Sequence, residues 1–207
     1  MRIKKTILTV LTSVLLLCNT FLFYGSLNAQ DKGIFIDKRD GHAYKWVKTG
    51  NLVWMIENLK FATEAGSWVY NNDTANAKKY GRLYDWNTAV KVCPKGWHLP
   101  SDLEWNALIK NLGGEDAAGE KLQQMDTVKV KQDTRSAMVT LGFSTLISGI
   151  RHNDGSFDGM GVWGGCWSAT FTSNDVADNF LFVKGAKAIG KSSSTKISGF
   201  SARCVKK

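Results

Sequence analysis

The segment Cys93-Pro94-Lys95-Gly96-Trp97-His98-Leu99-Pro100-Ser101-Asp102-Leu103-Glu104-Trp105 constrains the fold of this chain more than any other. It holds both prolines of the sequence and leads directly into a helix signal. Ser101 is placed as an N-cap, and Glu104, three residues on, completes a capping box. Asp102 and Glu104 also favour the positive end of the helix dipole. Trp105, Leu108, Ile109 and Leu112 recur at helical spacing, and Gly113-Gly114 ends the pattern. The spacing predicts a helix over 102–112.

The flanks read as β structure. Gly33-Ile34-Phe35-Ile36, then 43–48 with Tyr44 and Trp46 on one face, then Leu52-Val53-Trp54-Met55-Ile56 form three short apolar runs. The turns at 37–42 and 48–51 separate them, which predicts a small antiparallel meander. Between 74 and 90, Ala75, Ala77, Leu83, Trp86 and Val90 allow helical pieces. Gly81 interrupts them, and Asp85 can cap a short helix starting near Trp86. A polar, helix-tolerant stretch covers 115–126. Strands are expected at 141–150, 162–171, 179–183, 186–189 and 199–205. Strands at both ends with helices between them predict an α+β domain of antiparallel strands, one or two helices and a loop-rich second half.

The N-terminus has the layout of an export signal. Arg2, Lys4 and Lys5 precede an apolar run from Ile7 to Cys18, and Ser26-Leu27-Asn28-Ala29 supplies small residues before Gln30. The expected division is a signal peptide over 1–29 and a single domain over 30–207. The main apolar run is shorter than the ~20 residues of a membrane span, so no stable span is expected after cleavage. Cys18 follows Leu17 rather than the small residue a lipoprotein signal needs, and reads as part of the apolar run. The expected location is therefore secreted or at the cell surface. The formal net charge is +9, spread along the chain rather than blocked. Such a balance attracts acidic polymers weakly. No nucleic-acid-reading module accompanies it, so nucleic acid is not expected as a partner. Cleavage leaves Cys93, Cys166 and Cys204, an odd set that leaves one thiol over in a compartment where disulfides persist.

Five motifs in order resemble the Fibrobacter succinogenes major paralogous domain, a family of exported proteins of Bacteroidetes and related bacteria. They are Gly50 to Leu59, Tyr80-Gly81-Arg82-Leu83-Tyr84-Asp85-Trp86, Cys93 to Trp105, Cys166-Trp167-Ser168-Ala169-Thr170, and Gly199-Phe200-Ser201-Ala202-Arg203-Cys204-Val205. The resemblance covers about 36–206. It implies a C-type-lectin-like fold, a Cys93–Cys204 disulfide and a surface or secreted module without an assigned activity. Residues 97–105 are also similar to a segment of sulfatase-modifying enzymes. Those enzymes use two cysteines close together late in the chain, whereas Cys166 and Cys204 are far apart here. No catalytic activity is expected.

The candidate contact residues follow from exposure and chemistry. Of the eight tryptophans, Trp54, Trp86, Trp97, Trp105 and Trp167 lie in the motifs and are expected in the core. Trp68 with Tyr70, and Trp163 between glycines, are the candidates for stacking on a sugar ring or packing on a partner. The loop from His152 to Gly159 carries oxygen donors in Asn153, Asp154 and Asp158. A turn-rich loop is the stronger reading and a calcium loop the weaker one, because calcium wants six to eight oxygens. The calcium–sugar sequences Glu-Pro-Asn, Gln-Pro-Asp and Trp-Asn-Asp are absent. No metal or other cofactor is expected. Cys166 reads as a buried thiol acting as a small apolar group. The expected function is a non-catalytic binding module for a glycan or a surface protein. A structural envelope or fimbria-like component is the alternative, and an enzyme related to sulfatase-modifying factors ranks below both.

Overall fold

The computed structural model describes residues 32–124 and 147–207. The expected leader, 1–29, and the 141–146 part of an expected strand lie outside the described residues. Strands β1 (Lys32–Ile36), β2 (Ala43–Thr49) and β3 (Leu52–Met55) form the expected antiparallel meander. After β4 (Ser67–Trp68), a single 3-10 turn at Tyr70–Asn72 leads into helix α1 (Thr74–Tyr80). The Asp73 carboxylate caps that helix, accepting from the Ala75 N–H at 3.0 Å. Strand β5 (Leu83–Tyr84) and helix α2 (Trp86–Val92) follow. Helix α2 starts where expected because Asp85 accepts from the Thr88 N–H at 2.7 Å. Helix α3 (Asp102–Asn111) carries the expected capping box. The Ser101 N–H donates to Glu104 Oε2 at 2.8 Å, and the Glu104 N–H donates to Ser101 Oγ at 3.4 Å. Helix α4 (Glu115–Gln124) comes next.

Four α-helices thus stand among the described residues where one or two were expected. Helix α1 buries no residue, so it has no apolar stripe to give a helical period. Its cap, rather than its periodicity, marks it.

The second half departs from the loop-rich expectation. Strands β6 (Ile150–Arg151) and β7 (Phe157–Asp158) form a minimal hairpin. Strands β8 (Trp163–Phe171), β9 (Val176–Val183) and β10 (Gly190–Thr195) then run antiparallel in succession. Strand β11 (Phe200–Ser201) joins β8 in parallel and β5 in antiparallel, giving a six-stranded sheet in the order β10-β9-β8-β11-β5-β4. The last strand, β12 (Val205–Lys206), pairs with β3 and completes a four-stranded sheet with the meander. The expected strand at 186–189 is instead the connection into β10. Strand β10 is Gly-Lys-Ser-Ser-Ser-Thr on a sheet edge, with no residue buried. Period-two alternation needs one buried face, and this strand has none.

Helix α3 packs against both sheets. The Trp105 ring lies 5.0 Å from Trp54 of β3 and 5.1 Å from Phe180 of β9. A second cluster gathers Tyr44, Met55, Tyr84, Trp167 and Phe200. Trp54, Trp97, Trp105 and Trp167 are buried as expected. Trp86 is a correction, because it is only half-buried. It stands beside the exposed Phe171, and the Lys196 ammonium lies 4.2 Å above its ring. A disulfide joins Cys93 and Cys204, the pairing the resemblance implied, across 111 positions. Cys166 is free and buried.

Candidate functional site

Two polar assemblies stand out, one sealed and one open. The sealed one surrounds Asn58. Its side-chain amide donates to the Tyr80 carbonyl at 3.0 Å and to Ser201 Oγ at 3.1 Å. Its Oδ1 accepts from Arg203 Nη2 at 2.7 Å, and Ser201 Oγ meets Ser148 Oγ at 2.9 Å. The Cys166 thiol points at Asn58 Oδ1 from 3.9 Å. Burial pushes this thiol up to about 11, although the neighbouring Arg203 charge opposes the shift. It is therefore protonated at neutral pH, and a thiol without its thiolate is a poor nucleophile. Burial also lowers Arg203, to about 10, which still leaves it charged. Asn58 and Arg203 are almost wholly inaccessible, so this assembly ties β11 and its flanking loop to the loop after β3.

The open assembly is built on the β6–β7 hairpin. The hairpin is anchored by reciprocal backbone bonds, Arg151 N–H to the Gly199 carbonyl at 2.9 Å and Gly199 N–H to the Arg151 carbonyl at 2.8 Å. Its turn closes through the His152 N–H on the Ser156 carbonyl at 2.8 Å. Asp154 Oδ1 braces the turn, accepting from the Ser156 N–H at 2.9 Å and from Ser156 Oγ at 2.7 Å. These bonds to Ser156 hold the Asp154 carboxyl below its ordinary value. Arg151 stands directly opposite Phe157 in the register, so their side chains share one face. The Phe157 ring lies 5.3 Å from Tyr70. The Arg151 guanidinium lies 4.2 Å over Trp68. Gly155, at φ +93°, backs that guanidinium, and a Cβ there would lie 3.0 Å from Arg151 Nη2. Gly159 does the same for Trp163: a Cβ there would lie 2.5 Å from the indole.

The fold therefore brings together candidates scattered through the sequence. Trp68 and Tyr70 meet the hairpin on one face, and Trp163 packs at its base. His152 is half-buried in the turn, while Asn153 and Asp154 are exposed at the tip. Asp158 is exposed but alternates to the face opposite Phe157, away from Arg151. Among the described residues, no group of three or more His, Cys, Asp or Glu side chains is placed to hold a metal ion. Two members of the site, Arg151 and Phe157, were missed in the sequence. The hairpin strands are two residues long, too short for alternation to mark either one. The one usable signal was a cation next to a Gly-rich turn.

A shallow depression of ≈ 390 Å³ lies elsewhere, lined by Arg39, Phe61, Asn87 and Lys91 among others. Its arginine is already engaged. Arg39 Nε donates to Asp37 Oδ1 at 2.9 Å, Nη1 donates to the Val92 carbonyl at 2.8 Å, and the guanidinium sits 3.9 Å over Phe61.

Residues 47–206 match the Fibrobacter succinogenes major domain. The chain belongs to that family. The match spans all the elements of the second sheet and the helices, and it includes both the sealed Asn58–Arg203 assembly and the hairpin site. No curated protein and no solved structure matches the chain. This member of the family has an α+β architecture with a four-stranded antiparallel sheet and a six-stranded, mostly antiparallel one, and among the described residues no helix is long and apolar enough to cross a membrane.

Proposed function

We propose that this protein is an exported, non-catalytic binding module of C-type-lectin-like fold, which takes a glycan or a surface protein at the β6–β7 hairpin. The observation that carries this reading is the convergence of Trp68, Tyr70, Arg151 and Phe157 on one face of that hairpin, with Asn153 and Asp154 exposed at its tip. Half-exposed rings beside exposed amide and carboxylate groups suit a ligand with an apolar face and hydroxyl edges. The absence of catalysis is supported by the state of Cys166. The one free thiol among the described residues is sealed and protonated, and no histidine reaches it.

A glycan array probed with purified, disulfide-oxidised protein, with and without calcium, tests the reading. Saturable binding is expected, and Trp68→Ala should remove most of it. Failure to bind any glycan, together with failure to capture any surface protein, would overturn it. A structural-subunit reading has its own observation, since edge strand β1 leaves Ile34 66% and Ile36 60% exposed. Unprotected apolar edges favour strand pairing between copies. Sedimentation velocity decides this point, because a concentration-dependent assembly lost in Ile34→Lys would favour the subunit.

A further inference from the structure

We infer that the hairpin site recognises an acidic saccharide, whose carboxylate or sulfate is held by the fork of Arg151; this rests on the reading that the hairpin binds a ligand. The basic residues of this molecule differ in what already satisfies them. Arg39 is bound to Asp37, Lys60 to Glu57, and Lys191 to both Asp102 and Asp178. Arg203 is buried against Asn58. Arg151 has no such partner. Among the described residues it forms no ion pair, and its hydrogen bond is a 3.4 Å contact from Nη1 to the carbonyl of its own neighbour, His152.

The group is nonetheless held in place. The Trp68 ring lies under it at 4.2 Å, and the Gly155 backbone stands behind Nη2. Stacking on an indole excludes water from one face of the guanidinium without neutralising its charge. The remaining N–H groups lie in the plane of the fork. That geometry matches two oxygens of a carboxylate or sulfate, which a lysine point charge cannot reproduce.

The surroundings select a saccharide over an acidic peptide. Asn153 offers an amide and Ser156 a hydroxyl at the exposed tip, both suited to sugar hydroxyls. Tyr70 and Phe157 supply half-buried rings alongside. Asp154 is exposed at the tip, while Asp158 faces the other side of the hairpin. The second oxygen of the Asp154 carboxylate accepts from a sugar hydroxyl. Without the expected leader, which carries Arg2, Lys4 and Lys5 and no acid, the formal net charge is +6, and it draws polyanions towards the surface before this contact is made.

The test is isothermal titration of the oxidised protein with polygalacturonate and with its fully methyl-esterified form, paired with dextran sulfate and dextran. Preference for polygalacturonate over dextran sulfate, or the reverse, identifies the anion. Each charged polymer that binds should bind about tenfold or more tightly than its neutral counterpart, and Arg151→Lys should remove about tenfold of that affinity. Arg151 also clamps the hairpin, so a second measurement uses the unmodified sequence. Phenylglyoxal labelling of Arg151, located by mass spectrometry, should be slowed by the bound polymer. Equal binding of charged and neutral polymers, unchanged affinity in a folded Arg151→Lys, or unslowed labelling would each overturn the anion contact. If Trp68→Ala still abolishes binding in that event, the hairpin reading survives alone. Absence of binding to all four polymers, to the glycan array and to surface proteins overturns both.

Discussion

Arg203 and Arg151 are the same chemical group in opposite settings. Arg203 is wholly buried, with Asn58 accepting from its guanidinium at 2.7 Å. Arg151 lies flat on Trp68, half-buried, with the edge of its fork away from any carboxylate among the described residues. Burying a charge is costly unless it is hydrogen-bonded, so Arg203 must be surrounded by fixed polar partners, and those partners become part of the fold. Stacking on an aromatic ring asks far less of the scaffold. The first arrangement holds elements together, and the second leaves donors available to something outside the chain.

The largest blow to the sealed side should come from its cross-link. Cys204 is adjacent to Arg203, and its bridge to Cys93 closes a loop of 111 positions. Paired Cys93→Ala and Cys204→Ala substitutions should cost about 4–5 kcal/mol in the chain-entropy account, read from the urea midpoint. Asn58→Ala comes next. It removes the acceptor that faces a buried guanidinium and should destabilise by about 3 kcal/mol, with Cys166 becoming open to alkylation at a measurable rate. A loss below 1 kcal/mol by urea unfolding would mean that Arg203 does not depend on Asn58.

Lys191 lies between the extremes, half-exposed and shared between Asp102 at 2.5 Å and Asp178 at 3.1 Å. Burial raises the Asp178 carboxyl, but hydrogen bonds from Ser193, Thr172 and Lys191 outweigh it and bring it down to about 2, from an ordinary 3.8. A depressed carboxyl contributes stability that is complete above about pH 4 and is lost as the pH falls towards 2. That contribution is about 2 kcal/mol. Comparing the acid unfolding of Asp178→Asn with the parent checks it, since the variant should lose less stability over that interval. The smallest effect belongs to the open side. Arg151→Ala should cost about 1 kcal/mol or less by thermal melting, the value of one exposed cation–π contact, while removing binding of charged saccharides. A loss as large as that of Asn58→Ala would make Arg151 a structural residue and erase the contrast.

Much of the fold was legible because its signals are local. The capping box at Ser101 and Glu104, the cap at Asp85 and the turns of the meander each involve residues within a few positions of one another, and each is found where it was expected. The strand misplaced to 186–189 and the helix α1 that the sequence allowed without deciding share one reason. Neither β10 nor α1 buries a residue, so neither leaves a hydrophobic period. The candidate site was legible in most of its aromatic residues but not in Phe157 or its cation. Trp68, Tyr70 and Trp163 were marked by composition and glycine neighbours, but nothing near Arg151 in sequence indicates that an indole from β4 lies beneath it.

The amino-acid sequence by itself determined where helix α3 starts, that a meander opens the domain, and which family the chain belongs to, because caps, turns and motifs act over short stretches of chain. Only the tertiary structure decided that the buried Cys166 thiol lies beside Asn58, that Arg203 is an interior residue and that Arg151 is a presented one. Those outcomes depend on which distant segments supply the surrounding surface, and a charged side chain carries no local mark of whether its partner will be an amide in the core or a ring at the surface.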